Sequence, residues 1–255
     1  MRFLFLLLMV SFLTSCSTTV DFKIPSNRFH TPESSGRTLG GEVGIGYGSL
    51  QKYETAQIYN YYIFDDVEAD FTDSISRSSG IAAYAQLGVL ERLDLYYNTA
   101  HDSADVFGLK YQFLGKAKEL GHKMAIMLGY GNGSESKSST NLVSRSDSRD
   151  YQADLDYDAY EAEILYGYRQ TKNLLYYVNL NYSLYDTVTK LSSSSYEDES
   201  IRGIVRTVNT LVGIEIQESK EMLSIRIEGG IGRSKWEDRY SKTFYPIGFF
   251  GVLKF

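Results

Sequence analysis

Residues Asn173 to Asp186 read N-L-L-Y-Y-V-N-L-N-Y-S-L-Y-D. The even positions Leu174, Tyr176, Val178, Leu180, Tyr182 and Leu184 are apolar or aromatic, and Asn179, Asn181 and Ser183 between them are polar. A strand sends successive side chains to opposite faces, so this segment has one apolar and one polar face. Wound as a helix, the same residues would be scattered around its circumference. The stretch is also as long as the ~9–11 residues a tilted strand needs to cross a bilayer.

The same alternation recurs on both sides. Before it, one face carries Val43, Ile45 and Tyr47, then Ile81 to Val89, Leu93 to Tyr97, Phe107 to Phe113, Met124 to Tyr130 and Tyr160 to Tyr168. After it come Val208 to Ile216, Leu223 to Ile231 and Tyr245 to Phe255. The pattern predicts an all-β chain, a transmembrane antiparallel up-and-down β-barrel of about ten strands over residues 39–255. Twelve is the alternative count, with an extra pair around Tyr53 to Phe64 and after Asp66. A soluble lipocalin-like barrel shares the alternation but turns its apolar face inward. The many glycines on the polar face, which suit a narrow lumen, and the 22 tyrosines, which suit interfacial girdles, favour the membrane barrel.

The connections alternate in length. Segments 51–80, 132–159, 187–202 and 236–244 are long and polar, whereas 91–92, 115–122, 169–173 and 217–221 are shorter; 101–105 breaks the pattern. Bacterial barrels have short periplasmic turns and longer extracellular loops, so both chain ends are expected on the periplasmic side.

Upstream, Met1-Arg2 and the apolar run Phe3 to Leu13 form a signal-peptide n-region and h-region. Leu13-Thr14-Ser15-Cys16 follows and resembles the bacterial lipobox. That resemblance implies cleavage after residue 15 and a covalent lipid on Cys16, the single cysteine of the chain. Ser17, after the Cys, points to outer-membrane sorting within that resemblance. Residues 16–38, rich in Ser and Thr and carrying Pro25 and Pro32, read as a flexible periplasmic tether. The closing Phe255 resembles the C-terminal signal of outer-membrane proteins, and residues 39–255 as a whole resemble small outer-membrane barrels.

The polar face carries charges of both signs: Glu42, Asp94, Lys110, Glu161, Glu163, Glu215, Arg226 and Glu228 are assigned to the lumen. A ten-stranded barrel is narrow, so these charges must pair or be solvated, and the expected interior is salt-bridged and largely plugged. No cofactor beyond the lipid is expected. Asp154, Asp156 and Asp158 lack the Gly and Glu of an EF-hand loop, with Ala159 and Leu165 in their places. Of the three histidines, only His101, in His101-Asp102-Ser103, is placed on the outer side, and no omptin or deacylase motif accompanies it. A phase slip between Tyr157 and Tyr160 predicts a bulge or bend there.

The net charge of −6, without a basic patch, excludes nucleic acid as a partner. The partners expected are outer-membrane lipid and surface ligands met by loops 51–80 and 132–159. The functional expectation is a structural or surface-interaction barrel, with a narrow solute channel as the alternative and a surface enzyme third.

Overall fold

The computed structural model describes residues 16–61, 66–140, 150–193, 196–218, 222–237 and 240–255. The proposed signal peptide, residues 1–15, lies outside them, as do the tips of several connections.

Ten strands close into a ring. They are β2 (Gly41–Tyr61), β3 (Asp66–Leu90), β4 (Leu93–Ala100), β5 (Asp105–Leu114), β6 (Gly121–Thr140), β7 (Asp150–Thr171), β8 (Leu174–Ser193), β9 (Tyr196–Gln217), β10 (Leu223–Trp236) and β12 (Ile247–Lys254). Each pairs antiparallel with the next, and β12 closes on β2 with Phe249 opposite Tyr47 and Lys254 opposite Glu42. Two further strands lie off the ring, β1 (Cys16–Pro25) on β2 and β11 (Tyr240–Phe244) on β10. The segments weighed as an extra pair do pair with each other, Tyr53 opposite Ile75 and Tyr61 opposite Asp66, but as continuations of β2 and β3.

Outward-facing side chains form a continuous apolar belt that includes Ile45, Ile81, Phe107, Leu128, Ile164, Leu180, Val212, Ile225 and Phe249. Soluble monomers rarely expose contiguous apolar patches beyond a few hundred Å², so a belt around every strand suits hydrocarbon rather than water. The lipocalin alternative fails on the same observation. Tyrosines border the belt and turn their hydroxyls to polar partners: Tyr97 to Asp105 at 2.9 Å, Tyr130 to Asp158 at 2.7 Å and Tyr47 to Ser79 at 2.6 Å. At the opposite edge Tyr166 pairs with His122 Nδ1 at 2.7 Å.

Beyond the belt, the segments expected as long loops are mostly strand. Residues 51–61 and 66–80 extend β2 and β3, 132–140 and 150–159 extend β6 and β7, and 240–244 is β11. Their composition is polar because their outer face meets water, yet backbone pairing continues through them, without a break between β6 and β7 and with one register shift at Glu54/Ala56 between β2 and β3. The tips 62–65, 141–149 and 194–195 lie outside the described residues.

The predicted bulge in β7 is absent, since its register with β6 and β8 is continuous from Tyr151 to Tyr168. What changes is the side that is apolar. Within the belt Tyr160, Ile164 and Tyr166 face outward, whereas above it Ala153, Leu155 and Tyr157 face inward and are buried. The environment swaps sides and the backbone does not: lipid lies outside below, and a protein core lies inside above.

That core is built on the largest departure from expectation. Residues 16–38 are not a tether. β1 pairs with the upper half of β2, from Cys16 opposite Asn60 to Pro25 opposite Leu50, and residues 26–34 continue buried down the lumen. Val20, Phe22 and Ile24 pack into an apolar cluster with Tyr53, Ile58, Leu155, Tyr157, Tyr185, Val205 and Trp236. Phe22 stacks on Tyr53 and Tyr157 at 5.0 Å each and on Tyr185 at 5.7 Å. Here burial pushes the Tyr53 hydroxyl up to about 12, against the opposing effect of its bonds to Ser234 and Thr207.

The first and last described residues are therefore not together. Phe255 bonds Gly41 at the short-turn end, whereas residue 16 lies at the opposite, far end. For residue 16, the expected place on the short-turn side is corrected by the antiparallel pairing of β1 with β2.

Truncating Phe22 to Ala removes an aromatic from this closed core and should cost about 3–5 kcal/mol. Urea unfolding of the refolded barrel in detergent micelles measures it, and an unshifted midpoint would mean that β1 adds no core.

Candidate functional site

Among the described residues, charged side chains from many strands converge in the lumen, and close packing sets its geometry. Lumen aromatics lie over glycines of neighbouring strands: a Cβ on Gly46 would meet the Phe250 ring at 2.3 Å, and one on Gly108 would meet Tyr96 at 2.4 Å. The glycines predicted for a narrow interior are thus the floor on which its rings rest.

All eight charges assigned to the lumen from the sequence are buried there. They fall into two layers, a mixed one that Arg169 and Lys254 make rich in cations and an acidic one. Near the short-turn end, Arg226 meets Glu42 and Glu215 at 2.7 Å each and donates to Phe29 O at 2.8 Å. Glu215 also takes Arg169 at 3.0 Å and Lys254 at 2.9 Å. Asp94 accepts from Gln86 Nε2 at 2.7 Å and from the Ser35 N–H at 2.9 Å, and Lys110 donates to the Glu33 carbonyl at 2.5 Å and to Gln86 at 3.0 Å. This layer is rich in cations.

At mid-height the wall is acidic. Glu161 and Glu163, two apart on β7, project inward beside Asn179, Asn181 and Ser183 of β8. Their partners come from the threaded segment. Arg28 Nη1 lies 2.7 Å from Glu161, Arg28 Nη2 donates to Ser183 Oγ at 2.7 Å and to Asn181 Oδ1 at 3.3 Å, and Arg28 Nε is 3.8 Å from Glu163. His30 Nδ1 is 3.0 Å from Glu163 and Nε2 is 3.0 Å from Asn98 Oδ1. Glu228 accepts the Arg28 backbone N–H at 2.9 Å.

Five residues after Arg28 the segment reverses sign to match the wall. Glu33 receives a two-pronged guanidinium contact from Arg169, at 2.7 and 2.6 Å, with Lys123 at 3.4 Å. Between these anchors Phe29 takes a positive φ of 58° and stacks on Phe250 at 4.6 Å. A non-glycine residue held in that region is sustained by its surroundings, here the ring stack and the Arg226 bond to its carbonyl.

Arg28, His30 and Glu33 escaped the sequence reading because their segment was taken as a tether. Two signals pointed to them: Val20, Phe22 and Ile24 alternate with Asp21 and Lys23, and Glu161 and Glu163 share a wall face without a cation.

The remaining candidates do not converge. His101 is exposed, 3.3 Å from Asp102, and Asp102 is tied to Lys23 at 2.7 Å. Burial raises the Asp102 carboxyl, but the bond and charge of Lys23 outweigh it and hold the group below its ordinary value. Asp154 and Asp158 face outward and bond Ser136 and Tyr130. Among the described residues, no group of three or more His, Cys, Asp or Glu is arranged to hold a metal ion.

No family model matches the chain, and no curated protein matches it. Among solved structures, it is similar over 86% of its length to the outer membrane protease OmpT from Escherichia coli, at 11% identity, 91% of that chain and a TM-score of 0.36. It is similar over 86% of its length to Ail, the attachment invasion locus protein of Yersinia pestis, at 14% identity, 99% of that chain and a TM-score of 0.32. Neither likeness bears on what this chain does.

Removing one partner of a buried ion pair is strongly destabilising, so Arg28→Ala should cost about 3–5 kcal/mol. Adding Glu161→Gln and Glu163→Gln should restore a large part of that loss. A urea-unfolding mutant cycle reads both, and additive losses would mean that Arg28 is not coupled to these carboxylates.

Proposed function

We propose that this protein is an outer-membrane barrel sealed by its own N-terminal segment, serving at the cell surface through its extended far rim rather than as a standing pore. The observation that carries this reading is the filled lumen: residues 20–34 run down it, largely buried, and their charges match both layers of the wall. A solute crossing would have to displace matched, desolvated ion pairs.

The belt supports a membrane location, and short turns at one end with long strand extensions at the other support a periplasmic short-turn end and an extracellular far rim. On that rim, above the tyrosines, Asn132, Ser134, Asp156, Asp158, Asp186 and Arg202 line an outward groove of about 480 Å³. Its polar character suits a hydrated surface contact. The isolated, exposed His101 supports no catalytic role, and no cofactor or nucleic acid enters this reading.

The lipobox-like Leu13 to Cys16 supports a lipid on Cys16. Metabolic labelling with palmitate should mark the wild-type protein and not Cys16→Ser; equal labelling of both would remove the lipid from this reading.

In planar bilayers the purified, heat-modifiable barrel should show no discrete conductance steps. Regular ion-selective steps from the intact chain would overturn the sealed-barrel reading and favour the solute channel.

A further inference from the structure

The upper edge of β2 needs a partner that the ring does not supply. β12 pairs with β2 only from Glu42 to Tyr47, and Tyr245-Pro246 interrupt the strand between β12 and the preceding β11, which stays on β10. Pro246 has no N–H to donate, and its carbonyl accepts from Gly230 instead. An open strand edge leaves a row of unpaired N–H and C=O groups. β1 occupies it from Leu50 to Asn60, with one register shift at Val20/Asp21. Its other side is engaged as well: the Lys23 N–H bonds the Asp102 carbonyl at 2.7 Å, and the Asp21 N–H bonds Glu135 at 2.8 Å.

The direction of this pairing has a topological result. β2 rises from the short-turn end, so antiparallel β1 starts at the far end and descends; residues 26–38 continue to the short-turn end, where Leu39 N bonds Gly88 O. The segment thus spans the barrel lengthwise through its interior. It is fastened at three heights: by the Phe22 stack, by Arg28 and His30 on Glu161 and Glu163, and by Glu33 on Arg169. Ser17, at its leading end, is exposed.

We propose that the barrel carries its own N-terminal end across the membrane through its lumen and displays it at the extracellular mouth, together with any group borne on residue 16. Residues 16–61 act as one long hairpin. Its tip stays at the short-turn side, β2 joins the wall, and β1 rides up the inner edge of β2 as that strand is incorporated. No separate exporter for the segment is needed, because the register that completes the β2 edge also delivers the N-terminus. This inference rests on the orientation proposed above. It relocates the anchor: a lipid on Cys16 leaves the barrel on the extracellular side instead of holding the chain to the periplasmic leaflet.

The test uses full-length protein in cells with a membrane-impermeant maleimide and three single variants, each checked for heat-modifiability. Lys190→Cys reports the far end, Lys118→Cys the short-turn end and Ser17→Cys the N-terminus; the wild-type chain sets the Cys16 background. The expected result is that Ser17→Cys and Lys190→Cys label on intact cells to the same extent, and that Lys118→Cys labels only after permeabilisation. Ser17→Cys behaving like Lys118→Cys overturns the inference and leaves the orientation standing. If Lys118→Cys labels on intact cells and Lys190→Cys does not, the orientation reading fails, and lumen threading is upheld only if Ser17→Cys follows Lys190→Cys. Independently, Thr19→Cys with Gln57→Cys, opposite each other in the register, should form an intramolecular disulfide in cells. Its absence in a folded barrel would overturn the threaded register.

Discussion

Glu161 and Glu163 stand two residues apart on a strand whose outer face is apolar, so both carboxylates must point into the lumen. The wall places no cation beside them. A buried carboxylate without a partner is costly enough to neutralise or to unfold its surroundings. Arg28 and His30 meet that requirement from a segment more than a hundred residues away in sequence, and Glu33 does the same in reverse for Arg169 and Lys123. The interior is therefore completed by the threaded segment, and sealing follows from electrostatics as much as from volume.

A second constraint acts along each long strand. In the belt the backbone presents apolar side chains outward and polar ones inward. Once a strand passes the tyrosine border the environments exchange, and on β7 the apolar set moves to the inner face without any break in pairing. Tyr157 and Tyr160 on β7 mark that exchange, as do Tyr182 and Tyr185 on β8. A change of phase in hydrophobic periodicity thus has two physical origins, a bulge or a change of solvent, and only the ladder of pairs tells them apart.

The threaded segment joins these two constraints. Its upper part, β1, supplies apolar side chains to the core above the belt, and its lower part supplies charges to the lumen within it. The change from Val20-Phe22-Ile24 to Arg28-His30-Glu33 follows the polarity of the wall it passes. The small cavity beside Arg28, of about 20 Å³, has room for about one water.

Much of the barrel was legible in the amino-acid order because the bilayer imposes a local rule. Alternation at Tyr176 to Tyr182 or Ile225 to Ile231 declares which face meets lipid, and the residues between them, Asn179 and Arg226 among them, must then face the lumen. The polar segments above the belt were harder to read, because a strand wetted on one face and packed on a mixed core resembles a loop in composition. The path of residues 16–38 was harder still: the alternation of Val20, Phe22 and Ile24 signals a strand but not which strand or lumen it meets. Its Ser, Thr and Pro content suits a tether equally well, and its partners Glu161, Glu163 and Arg169 are remote in sequence. Sequence alone determined the fold class, the lipid-facing set and the charges that the wall strands turn inward, because each follows from period-two geometry. Only the tertiary structure decided which charges meet, that the lumen is filled from within the chain, and at which end residue 16 emerges, because these depend on long-range pairing that no local pattern encodes.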